Sequence, residues 1–99
     1  MNDSQINIAI AEACGYYYMD SVWHLPNGAH ADKFPDYIND LNAMHEAEKV
    51  LTRYQQSVTY SDNLMKIVGY HTFDSAHATA SQRAEAFLRT IGKWEEVQP

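Results

Sequence analysis

The sequence predicts an α+β fold, in which three or four amphipathic helices cover a short sheet. Apolar residues recur at three- and four-residue steps in several stretches, which is the spacing of a helix with one buried face. Two or three short segments between these stretches are aromatic and β-branched, as strands prefer. A chain of 99 residues is long enough for one modest core but not for two, so we expect a single domain over residues 1–99.

The first helix is predicted from about Gln5 to Cys14. Asp3 or Ser4 would cap its amino end, and Gly15 would end it in the left-handed conformation that glycine adopts easily. The apolar residues at helical spacing are Ile6, Ala9, Ile10, Ala13 and Cys14. Because the helix is short and rich in alanine, we expect it to pack closely against a neighbour.

The segment from residue 16 to 25 is predicted to be β structure, because it is aromatic and β-branched. It forms either a hairpin that turns at Asp20 and Ser21 or one long strand with a bulge at that point. The Pro-Asn-Gly sequence at residues 26–28 is a strong turn signal. Residues 29–34 have no clean period, so we expect an exposed loop there.

The central helix carries the most specific arrangement of polar residues in the chain. Pro35 and Asp36 predict a turn before it, because proline fixes φ and aspartate bonds its own backbone. Asn39 or Asp40 can then cap a helix that runs to about Leu51. The apolar stripe of this helix consists of Leu41, Met44, Ala47, Val50 and Leu51.

A third helix is predicted to begin at residues 52–55, whose Thr-Arg-Tyr-Gln sequence matches a capping box. It would run to Gly69. Its three- and four-residue rhythm consists of Tyr54, Val58, Ser61, Met65 and Val68. Residues 70–73 alternate and predict a further strand, and residues 74–78 predict a loop.

A second capping box, Thr-Ala-Ser-Gln at residues 79–82, opens the last helix. This helix is predicted to run to about Ile91, and Gly92 ends it. The face that we expect to be buried carries Ala80, Ala84, Phe87, Leu88 and Ile91. The residues that we expect to face water are Gln82, Glu85 and Arg89.

The charge balance narrows the classes of partner. With 13 acidic and 7 basic residues the formal charge is −6, which argues against general binding to nucleic acid or to anionic membranes, because both need positive charge. A charged partner should therefore be basic. The single Cys14 excludes an intramolecular disulfide and a multi-cysteine zinc site, so we expect a reducing cytoplasm. The first residues lack the pattern of a signal peptide, and no stretch approaches the roughly 20 apolar residues that cross a bilayer.

The central helix also holds a polar cluster, which consists of Asp40, Asn42, His45 and Glu48. A histidine and a carboxylate three residues apart on a helix can bind one divalent metal, and His71 or His77 could join them. The sequence is not the two-histidine zincin pattern, however, since a glutamate lies near the place of the second histidine. A buried polar pair that fixes the helix to the sheet, or the start of the helix itself, is the preferred interpretation. We therefore predict no metal site, no cofactor and no catalytic residue.

The candidate protein-binding residues are Tyr16, Tyr18, Trp23, Asp32 and Asp36. Successive residues of a strand point to opposite faces, so either Tyr17 or the pair Tyr16 and Tyr18 should be exposed. Exposed aromatic residues are enriched at protein interfaces. A platform for stacking nucleic-acid bases would need accompanying basic residues, which this segment lacks.

Other reactive side chains have ordinary explanations. Cys14 could be a nucleophile with a histidine as its base, but on the apolar face of a helix we expect a core residue. His24 and His30 lie in loop-like sequence and are predicted to be exposed. Arg83 and Arg89 could bind an anion, although pairing with Glu85 on the same helix is a sufficient explanation for these two arginines.

Three segments resemble the phage ABA sandwich domain family, which consists of small proteins encoded by phages and prophages. These are residues 6–15 (INIAIAEACG), 39–49 (NDLNAMHEAEK) and 80–94 (ASQRAEAFLRTIGKW). Long runs in the same order are more specific than a short catalytic pattern. The resemblance implies an α/β/α sandwich, and it implies no catalytic activity. Residues 16–34 and 54–77 match no fixed pattern, so a member of the family would carry its own specificity there.

The resemblance and the acidic charge favour a phage-encoded accessory protein that acts by protein–protein binding in the cytoplasm of the bacterial host. Its most concrete form is an inhibitor of a host defence system, in the manner of anti-CRISPR proteins. The partner would be a host protein, such as a nucleic-acid-binding effector with a basic surface. Two alternatives are a small metal-dependent or nucleotide-binding enzyme centred on His45 and Glu48, and a virion or packaging component.

Overall fold

The computed structural model describes residues 1–53, 55–69 and 78–96. In these ranges the chain forms four helices and one antiparallel pair of strands, which confirms the α+β class. The elements are α1 (Asp3–Ala13), β1 (Tyr17–Met19), β2 (Val22–His24), α2 (Leu41–Arg53), α3 (Ser57–Val68) and α4 (Ala80–Thr90). The predicted strand over residues 70–73 lies outside the described residues.

Asn2 caps the amino end of α1. Its side chain accepts a hydrogen bond from the backbone N–H of Gln5, and the Gln5 side chain accepts one from the backbone N–H of Asn2, each at 2.8 Å. The prediction of Asp3 or Ser4 as the cap was wrong, because only Asn2 stands three residues before a glutamine that can close this reciprocal capping box. Gly15, at φ +105°, follows the last turn in the left-handed conformation, as predicted.

Strands β1 and β2 form a hairpin, in which Tyr18 lies opposite Trp23. Asp20 and Ser21 join the strands with φ values of +55° and +68°. Positive φ at both central residues is the type I′ turn, whose twist matches that of the flanking strands. Of the two predicted alternatives, the hairpin is therefore confirmed. The predicted turn at residues 26–28 is also present.

Asp40 caps α2 through its carboxylate, which accepts hydrogen bonds from the backbone N–H groups of Asn42 and Ala43 at 3.0 and 3.2 Å. The helix extends to Arg53, so the capping box predicted at residues 52–55 was wrong. Thr52 and Arg53 continue α2 because the helical hydrogen bonds of its last turn are more favourable than a new start at that point.

Helix α3 begins at Ser57 and ends before Gly69, which adopts φ +104°. The helix and its end were predicted, but its buried face was not. Tyr60 and Leu64 point into the core, whereas Val58 is 77% exposed. The β-branched residues of this segment obscured the phase, because apolar residues occur on more than one side of the helix.

Helix α4 begins with the predicted capping box, in which Thr79 and Gln82 exchange hydrogen bonds of 2.9 and 3.1 Å. Its predicted apolar face is buried, with Ile91 only partly covered. Gln82 and Glu85 are half-buried and Arg89 is exposed. Two further residues, Arg83 and Ala86, are buried as well. Their burial follows from the position of α4, which packs against each of the other three helices.

All four helices contribute to one hydrophobic core. Its largest fully buried side chains are Phe87, Ile10, Met44, Leu51, Leu64 and Leu88. The hairpin supplies none of these side chains. No helix in the described ranges combines the length and the apolar character that crossing a membrane requires.

Replacing Phe87 by alanine should strongly destabilise the protein. Phe87 is completely buried, and truncation of a buried phenylalanine costs about 3–5 kcal/mol. The matched control is Glu85→Ala on the same helix. Glu85 is half-buried and forms an ion pair with Arg89, and pairs of this i,i+4 type contribute about 0.3–0.5 kcal/mol. Thermal melts of the two variants test the packing of α4, and equal melting temperatures would contradict it.

Candidate functional site

The predicted polar cluster divides into two parts in the structure. Asp40 and Asn42 belong to the start of α2, where the Asp40 carboxylate accepts the backbone N–H of Asn42. His45 and Glu48 form a separate pair one turn further on, with 3.1 Å between His45 Nδ1 and Glu48 Oε1. The four residues therefore do not converge on one site.

Glu48 is also held by Arg83, which sequence analysis did not connect with it. Arg83 Nη1 donates to Glu48 Oε2 at 3.0 Å, and Arg83 Nε donates to the carbonyl of Ala78 at 3.3 Å. The side chains of Arg83 and Glu48 are 8% and 18% exposed. One signal was available in the sequence: Arg83 lies three residues after Ala80 and four before Phe87, which places a cation on an apolar face.

The Glu48–Arg83 pair joins α2 to α4, and α3 adds Tyr60 beside it. Burial raises the pKa of the Tyr60 hydroxyl, and the nearby Glu48 carboxylate raises it further. The pair of Glu48 and Arg83 thus connects two helices. The predicted buried pair of His45 and Glu48 between helix and sheet was wrong, since the side chain of His45 is 52% exposed. The Glu48–Arg83 pair fits a structural role, since the buried guanidinium of Arg83 needs a partner of opposite charge.

A metal at Glu48 would have to compete with groups already bound there. One carboxylate oxygen is bonded to His45 and the other to the Arg83 guanidinium, whose charge repels a cation. In the described part of the chain, no group of three or more His, Cys, Asp or Glu side chains is placed to hold a metal ion. His71 and His77, which were named as further ligands, lie outside the described residues.

Four of the six large hydrophobic residues that are exposed in the described part of the chain lie on the hairpin. We call residues 17–24 the aromatic hairpin. Its exposed large side chains are Tyr17 (38%), Tyr18 (61%), Met19 (52%) and Val22 (38%). Tyr16, which precedes β1, is half-buried. The predicted alternation of exposed and covered tyrosines does not hold for Tyr17 and Tyr18, since both side chains are exposed although they lie on opposite faces of the hairpin.

A chain of ring contacts connects the aromatic hairpin to the core. Tyr18 lies against Trp23 with 5.5 Å between ring centroids, and Trp23 meets Phe34 edge-on at 5.0 Å. Phe34 in turn meets Tyr16 at 5.7 Å. Tyr16 and Phe34 both pack against the helical core. The base of the hairpin is therefore anchored while its tip projects into solvent.

His24 fixes the hairpin from inside. It is 7% exposed, so the prediction that it faces solvent was wrong, whereas His30 is exposed as predicted. The ring of His24 lies between two carbonyl oxygens, with Nε2 3.1 Å from that of Met19 and Nδ1 3.3 Å from that of Gly28. It also stacks on Tyr17 at 4.9 Å. These contacts bury His24, although its neighbours in the sequence are typical of a loop.

The acidic candidates differ in their surroundings. The Asp36 carboxylate accepts hydrogen bonds from the side chains of Asn7 and Asn39 at 3.1 and 3.0 Å, which ties α1 to the turn before α2. Asp32 is exposed on the loop that follows β2, and Asp20 is exposed at the tip of the hairpin. Their role in binding a partner stays a prediction.

Two further residues have the ordinary roles that the sequence suggested. Cys14 is half-buried and packs against the core. Burial raises the pKa of its thiol, and the neighbouring Tyr37 side chain only partly opposes this shift, so the reactive thiolate is disfavoured. Arg89 pairs with Glu85 at 2.7 Å, as expected, and also with Glu96 at 2.7 Å.

In comparisons with known proteins, no family model, no curated protein and no solved structure matches the chain. The resemblance to the phage ABA sandwich domain family therefore stays a prediction from the three sequence segments.

Replacing Glu48 by glutamine should destabilise the protein by about 3 kcal/mol. Loss of one partner of a buried ion pair costs about 3–5 kcal/mol, and the partial exposure of Glu48 favours the lower end. The matched control is Glu46→Gln, since Glu46 pairs with Lys49 but is 74% exposed, where about 0.5 kcal/mol is typical. Urea unfolding measures both. A double variant, Glu48→Leu with Arg83→Met, should recover part of the lost stability. Equal losses of stability in Glu48→Gln and Glu46→Gln would contradict a structural role for the pair of Glu48 and Arg83.

The protein should lose stability as the pH rises above about 9, near the ordinary pKa of a thiol. The pKa values of Cys14, Tyr37 and Tyr60 are all raised by burial. The folded state therefore keeps protons that the unfolded state releases, so the stability is fully present below the unfolded pKa values and declines above them. Melting temperatures between pH 8 and 11 should fall less steeply in Tyr37→Phe. In the exposed control Tyr18→Phe the slope should be unchanged, and identical slopes in both variants would refute this explanation.

Proposed function

We propose that this protein is a phage- or prophage-encoded accessory protein that binds a protein of the bacterial host through the aromatic hairpin. The observation that carries the proposal is that four large side chains of one anchored hairpin, Tyr17, Tyr18, Met19 and Val22, are 38–61% exposed. Tyr17, Met19 and Val22 share one face of the hairpin, and Tyr18 lies on the other with Trp23. Single exposed apolar residues are normal on a surface, but a concentration of them on one short element is typical of an interaction site. The α/β/α sandwich that the family resemblance implies is part of the same proposal.

The order of the hairpin supports a role in binding. An isolated two-stranded hairpin is only marginally stable in water, yet this one is fixed by its type I′ turn, by His24 and by the ring contacts to Phe34. A surface that is already ordered loses less conformational entropy when a partner binds. Tyrosine and tryptophan are also the side chains that contribute most at the centres of protein interfaces.

The charge of the protein favours a basic partner. The exposed carboxylates of Asp20 and Asp32 stand at the tip of the hairpin and on the loop beside it, in a chain of formal charge −6. Complementary charge accelerates association with a basic surface and disfavours acidic competitors. A nucleic-acid-binding effector of a host defence system has such a surface, and occupation of its basic groove would inhibit it. The same charge disfavours direct binding to nucleic acid or membranes.

The two alternatives differ in support. A virion or packaging component would use the same apolar hairpin against a particle protein, so recovery with purified particles distinguishes it. An enzyme centred on His45 and Glu48 has less support, because both oxygens of Glu48 are already bonded to His45 and Arg83.

Removing the exposed apolar side chains of the hairpin should abolish capture of the partner. The double variant Tyr18→Ser with Met19→Ser should retain its fold, since both side chains are more than half exposed. The tagged variant should no longer capture the partner protein from a lysate of the host. The matched control is Val58→Ser, which removes an apolar side chain that is 77% exposed on α3.

The readouts are mass spectrometry of the captured proteins and protection of phage on strains that carry defence systems. Loss of capture and protection in the hairpin variant alone supports the proposal. Equal capture by the hairpin variant and the native protein would place the interface elsewhere on the molecule.

A further inference from the structure

A cleft lies between α2 and the opposite wall formed by the end of α1 and the turn before α2. Its volume is about 390 Å³, which is within the range of small-molecule sites. The α2 side presents Ala43, Ala47 and Val50, and the opposite side presents Cys14, Pro35 and Tyr37. The walls of the cleft are therefore mainly apolar, and the exposed aromatic hairpin is not part of them.

The rim of the cleft carries a local positive charge on an acidic protein. Glu46, Lys49 and Arg53 lie along it, on successive turns of α2. Lys49 and Glu46 form an ion pair at 3.0 Å and neutralise each other. Arg53 forms no ion pair within the described part of the chain. One guanidinium is thus available at the edge, while the net charge of the whole chain is −6.

The inner wall is uncharged near Tyr37 and Cys14. Tyr37 is 3% exposed, and burial together with the neighbouring Cys14 raises its pKa, so its hydroxyl stays protonated. Burial also raises the pKa of the Cys14 thiol beside it, which favours the protonated thiol. An ionised group would be unfavourable at this depth, whereas an apolar group would remove the half-buried side chains of Ala43 and Val50 on α2 from water.

We propose that this cleft binds a small molecule with an apolar body, such as one aromatic ring on a short chain, and a single carboxylate. The body lies against the half-buried side chains of Ala43 and Val50, and the carboxylate reaches Arg53. A planar guanidinium binds a carboxylate through two parallel hydrogen bonds, which a lysine cannot reproduce. The residues that line the site are all outside the aromatic hairpin, residues 17–24.

The test compares two probes that share a body and differ in charge, 4-phenylbutyrate and 4-phenylbutylamine. NMR titration of the full chain should show shifts of the backbone amides of Ala43, Ala47 and Val50 with the acid. The acid should bind about fivefold more tightly than the amine, in line with the strength of an exposed ion pair. Added salt should reduce this preference, because the contact at the rim is screened.

Two variants test the location of the site, and a third variant serves as a control. Arg53→Gln should remove the preference for the acid, and Ala43→Leu should weaken both probes by filling the apolar wall. The control is Lys66→Gln, since Lys66 also lies in the last turn of its helix and is exposed, but on α3. It should change nothing.

The opposing outcomes are equally specific. Equal affinity for the two probes, a preference that survives in Arg53→Gln, or shifts away from the cleft would each overturn the proposal. A lower melting temperature of Arg53→Gln with the preference unchanged would mean that this arginine only complements the negative end of the helix dipole. Failure of the hairpin proposal would leave all of these results unaffected.

Discussion

The burial of Arg83 constrains the rest of the structure. Helix α4 contacts the other three helices, so it cannot turn this charged side chain to water without exposing the face that carries Phe87. A buried cation is tolerated only with a partner, and Glu48 is that partner on α2. The pair therefore fixes the rotation of α2 about its own axis. That rotation sends Met44 and Leu51 into the core and leaves Glu46 and Lys49 at the rim of the cleft.

The aromatic hairpin is ordered by a different principle. It contributes no fully buried side chain to the helical core, so its conformation depends on local devices: a turn with two positive φ values, a buried histidine between two carbonyl oxygens, and rings in edge contact. Each device acts over a few residues. The hairpin can therefore vary in sequence at its exposed positions without changing the packing of the helices, which suits a surface that determines the choice of partner.

The features that the sequence predicted are those decided by neighbours along the chain. The cap of α4, the left-handed Gly15 and the buried face around Phe87 depend on residues three or four positions apart, so they can be recognised locally. The burial of His24 and of Arg83 depends on groups brought near by the fold, such as the Met19 carbonyl and Glu48. The cleft has the same origin, because its two walls come from α2 and from segments that precede it in the chain. Pattern alone could not reveal these contacts.

Tyr16 belongs to the surroundings of both candidate sites. Its side chain lines the cleft, and its ring meets Phe34, which in turn meets Trp23 of the hairpin. Two ring contacts therefore separate the cleft from the hairpin, and a molecule in the cleft affects the hairpin only if its binding moves Tyr16. Any resulting change in affinity is reciprocal, since a ligand that alters partner binding by some factor has its own binding altered by the same factor. The size of that coupling depends on whether Tyr16 has two arrangements of different energy, because a side chain with only one arrangement transmits nothing.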